Sequence, residues 1–133
     1  MPGMPGFIKA ILGRCETEPL VRDLWSIEGS TVKVKLDEVP QLARTGGAVY
    51  LDSQELETPV LLVRNGDRYL AFANKCTHGG RKLDPVPEKS MLRCCSLSHS
   101  TFDYEGRKIG GPARGPLTQH AVEVVGKELL VRL

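Results

Sequence analysis

The chain lacks most of what would commit it to a membrane, to nucleic acid or to a catalytic pocket. No apolar run among its 133 residues approaches the roughly 20 that a spanning helix needs, so no bilayer span is expected. Neither sign of charge dominates: 18 Lys and Arg against 16 Asp and Glu leave a formal +2. That excess is too small to mark nucleic acid or an anionic membrane as a partner. The first residues, MPGMPGFIKAILGR, hold a short apolar patch without a basic lead-in or a small-residue cleavage site. They make a poor signal peptide, and a cytoplasmic location is the default expectation. The sequence contains no glycine-rich nucleotide loop, acid/base pair or substrate-pocket motif, and no internal repeat or low-complexity stretch. Catalysis by the chain alone is therefore not expected.

Cysteine is also scarce, but it is not scattered. Of four cysteines, Cys76, Cys94 and Cys95 fall in one stretch with His78 and His99, and Cys15 stands apart. Cysteine clustered with histidine in a chain without export features points to metal ligation more than to a disulfide framework. At 133 residues the chain is long enough for one domain with a single core.

Strand signals dominate from Trp25 onward. Residues 31–36 (TVKVKL) alternate with the period of two that a half-buried strand requires, and 60–63 (VLLV) form a short continuous apolar run. Asn65-Gly66-Asp67 predicts a tight hairpin turn with positive φ, followed by a return strand over 69–73. Residues 121–125 and 129–133, joined at Gly126-Lys127, repeat the arrangement. Residues 36–44 hold the one expected short helix or turn, ahead of Gly46-Gly47. The expectation is all-β: an antiparallel β-sandwich or small barrel over residues 25–133. Residues 1–24 read as an N-terminal extension, either lying on the domain or on a partner or forming a poorly ordered tail. Between residues 74 and 116 glycine, proline, serine and cysteine crowd in and apolar alternation nearly disappears. Such a stretch in a compact domain is expected to be a loop-rich, functional insertion pinned by something.

Two segments inside it carry the chemistry. One reads Cys76-Thr77-His78-Gly79-Gly80; the other runs from Cys94-Cys95 through Ser98 and His99 to Phe102-Asp103. Together with Leu83, Gly106, Gly111-Pro112-Ala113 and Pro116-Leu117 they resemble the Rieske family, whose pattern is Cys-x-His followed by Cys-x-x-His. The resemblance implies a Rieske-like β-sandwich with an inserted cluster-binding subdomain and one [2Fe–2S] cluster held by two thiolates on one iron and two imidazoles on the other. It implies electron transfer, as a soluble ferredoxin or the small subunit of an oxidoreductase complex. The partner would be a reductase, an oxygenase or another redox subunit.

Within that resemblance the expected ligands are Cys76, His78, Cys95 and His99, with Cys94 as the alternative thiolate. The second loop is one residue longer than the family pattern: Ser98 stands where histidine is expected and His99 follows it. Three outcomes stay open: His99 ligates from its shifted position, an unusual ligand such as Cys94 serves the second iron, or the scaffold holds no cluster. Ser100 corresponds to a serine that donates a hydrogen bond to the cluster in high-potential relatives, whereas Phe102 occupies the position of a donating tyrosine. Arg81 and Leu97 stand where those relatives carry a bridging cysteine pair, so a low to intermediate potential is implied. Arg81, Lys82, Arg107, Lys108 and Arg114 are either a basic rim for an acidic partner or ordinary solvated loop charges, and His120 is expected at the surface. The alternative functions are a structural zinc module built from the same side chains and a cluster-free interaction domain on the same scaffold.

Overall fold

The computed structural model describes residues 17–75, 82–95, 100–111 and 115–133. Eleven strands cover them in chain order: β1 (Trp25–Glu28), β2 (Thr31–Lys35), β3 (Ala48–Leu51), β4 (Val60–Asn65), β5 (Arg68–Ala73), β6 (Leu83–Val86), β7 (Met91–Cys94), β8 (Thr101–Asp103), β9 (Lys108–Gly110), β10 (Gln119–Val125) and β11 (Glu128–Arg132). The expected helix or turn over 36–44 is a pair of 3-10 turns, Leu36–Glu38 and Pro40–Leu42. Proline at 40 stops the first from propagating. Among the described residues no helix is long and apolar enough to cross a membrane.

Two antiparallel sheets result, one of seven strands in the order β1-β2-β11-β10-β5-β4-β3 and one of four in the order β6-β7-β8-β9. The larger sheet curls because β10 serves both halves. Gln119 and His120 pair with β5, and residues Ala121 to Val125 pair with β11. The curl brings Trp25, Val32, Val34, Leu129 and Val131 against Val49, Leu51, Val60, Leu62 and Ala71 in a first core. Leu61, Val63, Leu70 and Phe72, on the opposite face of β4 and β5, meet Leu83, Leu92, Cys94, Phe102, Tyr104 and Leu117 in a second core beneath the smaller sheet. β4 is thus buried on both faces. That is why VLLV reads as an unbroken apolar run and not as an alternation.

The second sheet corrects the expectation of an almost irregular stretch over 74–116. Its strands are three or four residues long, and β6 contains Pro85. Each of β6, β7 and β8 buries one large apolar side chain: Leu83, Leu92 or Phe102. A period of two cannot be recognised in so short a strand. β1 and β3 escaped the sequence reading for the same reason.

The described part of the N-terminal extension lies on the domain. Pro19 bridges Tyr50 of β3, the Leu20 N–H donates to the Tyr50 carbonyl at 2.8 Å, and the Thr17 hydroxyl donates to Asp84 of β6 at 2.6 Å. The segment 17–20 therefore straps the edge of the large sheet to the small one. The helical spacing of Phe7, Ile8, Ile11 and Leu12 lies outside the described residues.

Candidate metal centre

Cys76, His78 and His99 lie outside the described residues, as do Arg81, Leu97 and Arg114. What the structure describes is the base from which both proposed ligand loops leave the fold. The first loop starts just past β5, where the Asn74 N–H donates to the Pro59 carbonyl at 2.7 Å. It ends where β6 begins, and the Leu83 N–H donates to Asn74 Oδ1 at 2.9 Å. One side chain thereby closes the loop's base. The second loop is closed by the Cys94 N–H donating to the Ser100 carbonyl at 2.8 Å. The two bases are joined by the Cys95 N–H, which donates to the Lys82 carbonyl at 2.9 Å. Residues 76–81 and 96–99 therefore start from a common, hydrogen-bonded platform.

The adjacent cysteines have different surroundings. Cys94 is the last residue of β7, pairs across the sheet with Leu83, and is 1% exposed in the second core. It shares a core with Leu83, Leu92 and Phe102. Cys95 lies one residue beyond the strand, at the start of the loop; its sulfur is paired with another cysteine sulfur here, and it is as the reduced thiolate that it would bind iron. Both are buried, Cys95 at 5% exposed, but only Cys94 is a member of the second core. Among the described residues no three metal-binding side chains converge, which follows from Cys95 being the only one of the four favoured ligands described.

Two buried polar groups stand beside these loop bases without a partner among the described residues: Ser100 Oγ and Asn74 Nδ2. Ser100 is fully buried and Asn74 is 2% exposed. An unsatisfied buried polar group costs about 1–3 kcal/mol and calls for a specific explanation, such as an ion, water or cofactor. Both groups are hydrogen-bond donors at the site where the sequence places a sulfur-rich anionic cluster, so their chemistry fits that group. Sequence reasoning marked Ser100 but passed over Asn74. Its signal was an asparagine at the end of an apolar strand, two residues before the first cysteine.

The supporting turn is equally well defined. The Asp103 carboxylate accepts from the Glu105 N–H at 2.9 Å, the Arg107 N–H at 2.8 Å and the Arg107 guanidinium at 2.7 Å. Burial works to raise the pKa of Asp103, but the hydrogen bonds from Arg107 and Glu105 outweigh it and hold the group below its ordinary value. Arg107 is therefore committed to Asp103 and Glu105. Lys82 lies over the Tyr50 ring at 5.2 Å, which leaves exposed Lys108 as the described member of the expected basic rim without such a contact. Phe102 is fully buried in the second core and offers no hydroxyl. His120 is half-buried on β10, and burial pushes its pKa down.

The sequence model of the family described as "Rieske [2Fe-2S] domain" matches residues 23–130. The chain belongs to the Rieske [2Fe–2S] domain family, its cofactor is a [2Fe–2S] cluster, and its chemistry is Rieske-type electron transfer. Among solved structures it is similar to the ferredoxin of carbazole 1,9a-dioxygenase from Nocardioides aromaticivorans IC177, with 26% identity, a TM-score of 0.61, and coverage of 74% of this chain and 92% of that one. It is also similar to the plasma membrane Rieske protein PetC3 of Synechocystis PCC 6803, with 25% identity, a TM-score of 0.55, and coverage of 65% and 86% respectively. A curated relative, the carotenoid phi-ring synthase of Chlorobaculum tepidum, is 30% identical over 73 residues, which are 55% of this chain and 11% of that protein. The chain thus matches only about a tenth of the length of that relative.

Proposed function

We propose that this chain is a one-electron carrier of the Rieske ferredoxin kind, delivering electrons to an oxygenase or another oxidoreductase, with Cys76, His78, Cys95 and His99 as cluster ligands. The observation that carries the reading is the shared base of the two loops. Cys95 is tied to Lys82 beside it, and a buried serine hydroxyl stands unpartnered among the described residues next to the second loop. The likeness to a dioxygenase ferredoxin over 92% of that protein supports the carrier role.

The cluster supplies one reversible electron, held between its irons and sulfurs. The chain's own residues hold and tune it. The Cys94 N–H to Ser100 carbonyl bond fixes the start and end of the second loop against each other, so that a one-residue lengthening is absorbed in the loop and not in β7 or β8. A hydrogen bond from the buried, unpartnered Ser100 Oγ to sulfur would favour the reduced form. Phe102 contributes packing in place of a second hydroxyl, which supports a low to intermediate potential.

Anaerobic purification with iron, zinc and sulfide analysis tests the reading. The expected product is red-brown, holds about two irons and two sulfides per chain, and bleaches on reduction. A colourless protein with one zinc, or one without metal, would refute it.

A further inference from the structure

Asn74 does more than close the first loop. Its side chain is almost completely buried, and its two polar ends are treated unequally. Oδ1 accepts the Leu83 N–H at 2.9 Å, while Nδ2 has no partner among the described residues. An amide needed only to pin β6 would leave its NH2 group at a cost of about 1–3 kcal/mol, unless something at the site takes the hydrogen bond. Ser100 Oγ is in the same condition. The two donors belong to one hydrogen-bonded patch. Asn74 bonds Leu83, Leu83 pairs with Cys94, and Cys94 bonds the Ser100 carbonyl. Two unpartnered buried donors, one just past β5 and one just before β8 at the bases of the two loops, call for an acceptor-rich group of negative charge.

We propose that Asn74 is a positioning and tuning residue for the cluster, its Nδ2 donating a hydrogen bond to a sulfur of the site (a ligand thiolate or a bridging sulfide) while Oδ1 holds the start of β6. The proposal rests on the cluster reading above. Reduction adds negative charge to the cluster, so a donor to sulfur favours the reduced form. Asn74 thereby couples the rigid end of β5 to the redox centre through one amide.

The test uses the holo-protein with nitrogen-15 introduced only at asparagine. The chain has two asparagines, Asn65 at the end of β4 and Asn74. Pulsed EPR of the reduced protein is expected to show a nitrogen-15 coupling that persists in Asn65→Asp. Asn74→Asp keeps an acceptor for Leu83 but removes the NH2 group. It is expected to retain iron and sulfide, lose that coupling, and lower the reduced-to-oxidised ratio at a fixed potential by about fivefold, the equivalent of about 1 kcal/mol. The uncharged Asn74→Ser should shift the ratio in the same direction, separating loss of the donor from gain of charge. A full cluster with no asparagine coupling in the unsubstituted protein would overturn the proposal even if neither variant folds, as would an unchanged midpoint in both variants. A purified protein without iron or sulfide would overturn the cluster reading itself, and this proposal with it.

Discussion

Replacing Cys94 and Cys95 separately by alanine should give opposite results. Cys94 is 1% exposed and shares the second core with Leu83, Leu92 and Phe102. Removing its sulfur takes out roughly one methylene-sized group, about 0.8 kcal/mol of burial. The residual cavity adds about 0.5 kcal/mol. Cys94→Ala should therefore cost about 1–1.5 kcal/mol, a fall in melting temperature of about 5 °C for a domain of this size, with the visible spectrum and iron content intact. Cys95→Ala should abolish the cluster. Alternation along β7 is the reason. For Cys94 to face the loop, the register Leu83↔Cys94 and Leu92↔Phe102 would have to slip by one, turning Leu92 out of the core. Exposing one such side chain costs about 1.5–3 kcal/mol before any effect on its neighbours. Iron analysis, visible absorption and a circular-dichroism melt decide the matter. Loss of the cluster in Cys94→Ala, or its retention in Cys95→Ala, would refute the reasoning, whichever other variant keeps its colour.

Three further outcomes follow from the same geometry. Ser100→Ala should lower the midpoint on the order of tens of millivolts in protein-film voltammetry, because a buried donor to sulfur is lost; an unchanged midpoint would remove the hydroxyl from the account. Asp103→Ala should cost about 1 kcal/mol at neutral pH through its lost hydrogen bonds. Because the folded carboxyl titrates below its unfolded value, that stability is present above about pH 4 and is lost as pH falls through the folded pKa, so denaturant midpoints of the variant should be flatter below pH 4. Gly47→Ala should cost more than about 2 kcal/mol, since a Cβ there collides with the Gln41 carbonyl, whereas at Gly66, with φ +64 and open space, alanine should cost only the left-handed strain of roughly 1–2 kcal/mol. Equal melts for the two glycine variants would contradict this.

What could be read in the sequence was whatever repeats locally. The Asn65-Gly66 and Gly126 turns appear where positive φ was expected, with φ 64 and φ 61. β2 carried enough residues to display its period, and β4 its unbroken apolar run. What could not be read depends on pairing across distance. β4 serving two cores, β10 crossing between half-sheets and Thr17 binding Asp84 all join residues that share no local pattern. The family and its cluster were legible in the cysteine and histidine spacing. The choice between Cys94 and Cys95 was not, because it depends on where β7 ends, and a four-residue strand between a turn and a loop has no sequence signal for its last residue.

That dependence explains the build of the smaller sheet. Two loops can hold a cluster in one geometry only if their bases do not move relative to each other, and short strands alone would fray. Here the second core supplies the stiffness: Leu83, Leu92 and Phe102 pack against Leu61, Val63 and Phe72, side chains on the outer face of the large sheet. The hydrogen bonds from Leu83 to Asn74 and from Cys95 to Lys82 then carry that stiffness to the loop bases. A lengthened second loop is compatible with this construction because the extra residue falls beyond the last clamped pair, Cys94 and Ser100. The same residue inserted before Cys94 would reverse the facing of Leu92 or Phe102 and break the platform.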